Sequence, residues 1–130
     1  MKRNVRTIEE KTKQLRLEAL RYCETADRNL KLALLQAEQR VKQAQYEFLE
    51  REKQLAAVSK GLGMTRITRI LEIAKLIVDQ KPVDMTEMKL PEIEAMQQYV
   101  VPYVQQMKVV ELRQKEFELV KEKIDLNAVG

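Results

Sequence analysis

Histidine and tryptophan are absent from these 130 residues, cysteine occurs once, and glycine and proline occur three times each. Each shortage removes a class of chemistry. Without histidine there is no side chain that titrates at neutral pH unperturbed, no usual zinc ligand and no carboxylate–histidine di-iron motif. A cysteine nucleophile activated by an imidazole is excluded on the same ground. A single Cys23 allows neither an intrachain disulfide nor a thiolate metal cluster, and it favours a reducing, cytoplasmic setting. The carboxylates and lysines fall on the solvent faces of the predicted helices and converge on no pocket. We therefore expect no catalytic residues, no cofactor, no metal and no enzymatic activity.

Long apolar runs are also missing. The best stretch, residues 67–78, is interrupted by Arg69, Glu72 and Lys75, so no membrane span is expected. The chain starts Met-Lys-Arg but meets Glu9 and Glu10 before any apolar stretch, which fits neither a secretory signal nor a transit peptide. A membrane role through the basic start is accordingly the weakest of the readings.

What is present is helix-forming material. Residues 1–60 contain no glycine and no proline, and run in Glu, Lys, Arg, Gln, Leu and Ala. The composition is 45% hydrophobic and 34% charged but only 5% aromatic, which suits a helical bundle or coiled coil better than a thick core. As one helix the first 58 or so residues would extend roughly 87 Å. A compact chain of this length has a diameter near 36 Å, so part of such a helix must project or pair.

Within that stretch the apolar period changes. Ile8, Thr12, Leu15, Ala19, Tyr22 and Ala26 follow steps of four and three, a narrow heptad seam. From Tyr22 onward the steps become four, four and three, through Leu30, Ala33, Ala37, Val41, Ala44 and Phe48. Leu32, Leu34, Leu35 and Leu49 widen that second face, which asks for more than one neighbouring helix. Gly61 and Gly63 end the first helix. Thr65 is the expected N-cap of a second helix over 66–80, stopped by Lys81-Pro82. A connector over 81–90 precedes a third helix that opens with Pro91 and runs to about residue 126. Pro102 lies inside it and predicts a kink or break near 98–102.

The resulting expectation is an all-α chain: a long N-terminal coiled-coil-like helix, with two further helices folding back on its C-terminal half as a helical hairpin or three-helix bundle. It is read as a single elongated helical domain over 1–130, with 1–28 projecting and 29–130 forming the head. The projecting seam is the expected protein interface, through Ile8, Leu15, Ala19, Tyr22 and Ala26. Its partner would be a second copy or another protein's helix.

Charge supplies the alternative. Residues 1–21 carry seven basic and three acidic groups, whereas 84–130 carry six and nine. That asymmetry fits self-complementarity, or a basic arm for an anionic partner. In the second reading Lys2, Arg3, Arg6, Lys11, Lys13 and Arg16 contact DNA or RNA without sequence preference. Arg66 and Arg69 would join them if an anion offset these first-turn cations, which oppose the helix dipole, although the surplus carboxylates of residues 84–130 are the expected compensation. Two motif checks fail. The Gly61–Gly63 turn lacks P-loop spacing. Aligning it on a DNA-binding helix-turn-helix puts Arg69 and Glu72 where apolar residues belong.

Overall fold

A computed structural model describes the backbone of residues 2–129 and the side chains of residues 7–127. All regular structure among them is helical. The elements are α1 (Lys2–Cys23), α2 (Arg28–Leu62), α3 (Met64–Val78), α4 (Leu90–Ala95) and α5 (Val101–Val129), with a π-helical turn, Met96–Val100, joining the last two.

The single N-terminal rod is the main correction. The chain leaves the helix after Cys23, and residues 24–27 turn before α2 begins. Asp27 is the cause on the α2 side. Its Oδ1 accepts the Leu30 N–H at 2.8 Å, while its carbonyl accepts from Lys31 N–H at 2.9 Å. That is N-cap geometry, which satisfies an otherwise orphaned amide at the new helix start. On the α1 side, Glu24 N–H and Thr25 N–H donate to the carbonyls of Arg21 and Tyr22, tightening the last turn.

The described chain divides into two units: residues 1–47 with 109–130, and residues 48–108. In the first unit α1, the early part of α2 and most of α5 share one core. Ala19 and Cys23 of α1, Leu34, Ala37 and Val41 of α2, and Phe117 and Ile124 of α5 are buried together. Leu15, Tyr22 and Ala26 pack against them, half-buried. Leu15, Ala19, Tyr22, Cys23 and Ala26, expected in a projecting segment, thus pack within the first unit. The break at 24–27 lets α1 lie on the apolar face of α2, and α5 supplies the third wall.

In the second unit the core is Leu55 of α2, Ile67, Ile70, Ile73 and Ala74 of α3, and Met96, Val100 and Val104. Val83, Met85 and Met88 of the connector pack against it, so the loop contributes to the interior. The Phe48 and Tyr103 rings stack with centroids 5.2 Å apart.

Helix ends account for the remaining differences from expectation. Thr65 is not the N-cap of α3. The helix starts at Met64 with Gly63 before it at φ 87, ψ 155, a conformation that suits only glycine. At the other end Gln80 has φ 60, with Lys81 N–H donating to Leu76 O and Gln80 N–H to Ile77 O. This is a Schellman closure with glutamine in the left-handed position usually given to glycine. Pro102 produces a π turn rather than a break. Val101 N–H reaches back five residues to Met96 O, and the widened turn accommodates a residue that has no N–H to donate.

Candidate functional site

The expected interface residues are turned inward. Ile8 and Ala19 are buried, Ala19 completely, and the half-buried Leu15, Tyr22 and Ala26 belong to the first unit's own core. The seam that the sequence leaves unfilled is filled by α2 and α5.

Lys121 of α5 ties this arrangement together. Its side chain is about nine-tenths buried. Nζ donates to Glu18 of α1 and, at 3.1 Å, to Glu118 one turn away. It also sits 5.5 Å from the centre of the Tyr22 ring and 5.3 Å from that of Phe117. Burial acts to lower the ammonium's pKa, but its hydrogen bonds to the Glu18 and Glu118 carboxylates, with their charges, outweigh it and the net shift is upward. A second charged tie joins α1 to α2, where Arg16 Nη1 donates to the buried Glu38 carboxylate at 3.3 Å. Arg40 of α2 approaches Glu116 of α5 at 3.8 Å.

Three of the five described cations proposed for an anionic ligand are paired with carboxylates. Arg66 donates to Glu92 at 2.8 Å and Arg69 to Glu87 at 2.9 Å, so carboxylates of the second unit offset both. Arg16 is committed to Glu38. Lys11 and Lys13 are exposed, and the side chains of Lys2, Arg3 and Arg6 lie outside the described residues. No group of three or more Cys, Asp or Glu that could hold a metal occurs among the described residues. The same residues contain no helix long and apolar enough to cross a membrane.

The first unit's surface carries open grooves. One of about 660 Å³ in the first unit is lined by Gln14, Gln45, Gln114, Leu15, Val41 and Phe117, among others. Gln45 is buried and its Oε1 has no hydrogen-bond partner. That oxygen is shielded from solvent, so it is an unmet acceptor of the core rather than a ligand contact in the groove.

The feature that sequence reasoning missed lies on the outer face of α5. Leu112, Leu119 and Leu126 are 52%, 56% and 72% exposed. They are spaced by seven, and residues seven apart on an α-helix are offset by only about 20°. They form one stripe about 21 Å long. Leu119 lies two residues from the core residue Phe117, about 200° around the helix, so the stripe points directly away from the bundle. Single exposed leucines are ordinary, but three in one file are not explained by the first unit's packing. A search for a second heptad file beside the seam through Phe117, Val120 and Ile124 would have found it.

The chain matches no family model, no curated protein and no solved structure.

Proposed function

We propose that this chain is a non-enzymatic helical interaction protein, a structural component of a larger assembly. Its working surface is the outer face of α5, not the N-terminal seam. The observation that supports the reading is the leucine file Leu112–Leu119–Leu126, exposed on a helix whose opposite face is already buried. An apolar heptad file on a rigid helix is how one helix recognises another. Contact through Ile8, Leu15, Ala19, Tyr22 and Ala26 would instead require α1 to leave its place on α2 and α5. The lone buried thiol of Cys23 suits a reducing, cytoplasmic setting.

The test is a photoreactive residue at position 119 of the full-length chain, activated in the source cells. A discrete protein adduct is expected, either to the chain itself or to another protein. Quenching by solvent alone would remove the reading. Non-specific binding to DNA or RNA is the second reading, through the exposed Lys11 and Lys13. Its mark is retention at low salt that falls steeply by physiological salt.

A further inference from the structure

We infer that the leucine file of α5 is covered by a second copy of this chain, α5 packed antiparallel on α5 with Leu119 on the twofold axis. The inference rests on the reading of this face as a contact surface, and it names the occupant.

The argument is the arrangement of charge about Leu119. Leu112 and Leu126 each lie seven residues from it. In an antiparallel pair centred there, Leu112 of one copy meets Leu126 of the other, and Leu119 meets itself. Lys115 and Glu122 follow Leu112 and Leu119 by three residues, which puts both on one edge of the file, about 60° from it. Glu116 and Lys123 follow the same leucines by four and form the other edge, about 40° away. A perpendicular twofold axis brings each edge against itself, reversed. Lys115 stands four residues before Leu119 and Glu122 three after it, so the reversed partner places Glu122 beside Lys115. On the other edge Glu116 stands three before and Lys123 four after, so they meet in the same way.

Three leucine layers are thus flanked by four lysine–glutamate pairs, two per edge. Lys115, Glu122 and Lys123 are exposed and make no ion pair within the chain among the described residues, so their charges are available. Glu116 is shared with Arg113 at 2.9 Å and Arg40 at 3.8 Å. Glu118, which comes nearest to its own copy near the axis, is held by Lys121. The antiparallel sense also opposes the two helix dipoles. A closed twofold contact of this kind ends at a dimer rather than a fibre.

One helix face is smaller than the roughly 800 Å² per partner of a standard interface. The dimer is therefore weak, with a dissociation constant on the order of tens of micromolar.

Sedimentation equilibrium of the full-length chain tests this. A monomer–dimer equilibrium is expected, and Leu119→Glu should raise the dissociation constant by at least about thirtyfold. Because position 119 faces solvent, the thermal unfolding of the diluted monomer should be unchanged. The decisive pair is Lys115→Glu, which weakens the dimer, and Lys115→Glu with Glu122→Lys, which restores it. In a parallel pair the same double exchange sets Glu against Glu116 and Lys against Lys123, so further weakening would overturn the antiparallel assignment. A chain that stays monomeric at about 500 μM overturns the proposal. So does a photoadduct from position 119 to a different protein, although that result would leave the contact surface itself standing.

Discussion

The two units hold themselves together differently. The second buries aliphatic and methionine side chains, including three isoleucines of α3, and its cross-element ion pairs Arg66–Glu92, Arg69–Glu87 and Lys108–Asp79 each keep a cation that is more than half exposed. The first has small residues, Ala19 and Ala37, in the core that α1, α2 and α5 share. It draws charge inward, with Lys121 and Glu38 both buried. Exposed pairs are worth little, about 0–1 kcal/mol. A buried charge depends on its partner, and leaving it unpaired costs several times more. The first unit should therefore be sensitive to single polar changes in a way that the second is not.

The largest effect is expected at Phe117, fully buried at the centre of the first unit. Phe117→Ala should cost about 3–5 kcal/mol. Hydrogen exchange should show protection lost in residues 7–47 and 109–127 before 48–108, whereas uniform loss would mean that the units unfold together. Next comes Lys121. Lys121→Ala should destabilise by about 2–3 kcal/mol, and Lys121→Met by about half as much, because methionine keeps the packing of the stem while losing the charge. Equal losses, read from urea unfolding, would show that packing is irrelevant there.

Asp27→Ala should cost about 1 kcal/mol by removing the cap that separates α1 from α2. Gln45→Met should gain about 1 kcal/mol, since it removes an acceptor that the core leaves unmet. In the second unit, Gln80→Gly should gain up to about 1 kcal/mol by relieving the left-handed backbone.

The smallest effect is that of acid. The Lys108 hydrogen bond, partly opposed by desolvation, holds the Asp79 carboxyl below its ordinary value. The Thr86 backbone and hydroxyl hydrogen bonds do the same for Asp84. A depressed carboxyl stabilises the fold above its unfolded pKa and loses that contribution as pH falls through the folded value. Both groups are in the second unit, so its exchange protection should weaken below about pH 4. Carboxyl resonances of Asp79 and Asp84 that titrate at ordinary values would refute this.

The helical class was legible because sixty residues without glycine or proline leave few alternatives. The break in that stretch was half legible. The apolar period changes at Tyr22–Ala26, beside the turn at 24–27, but a change of period also fits one continuous helix. What distinguished the cases was Asp27, an N-cap residue that reads as an ordinary surface acid until its side chain is seen to bond Leu30 N–H. Once the rod is broken, the buried fate of Ala19, Tyr22 and Ala26 follows, because a short helix with an apolar seam packs on the nearest apolar face. The compensation of Arg66 and Arg69 by carboxylates of residues 84–130 was anticipated from charge balance, although the particular partners were not. The leucine file of α5 keeps a strict spacing of seven in the sequence, but the seam through Phe117, Val120 and Ile124 on the same helix masks it.

Cys23 gives this architecture a clock. It is the only thiol in the chain, it is 8% exposed, and it sits at the end of α1 in the core that α1 shares with α2 and α5. A thiol reagent can reach it only when that end of the helix lifts away. Its labelling rate, divided by that of the unfolded chain, therefore reports the fraction of time that α1 is undocked. Any partner that captured the α1 seam would speed the reaction, and one that bound only the outer face of α5 would leave it unchanged.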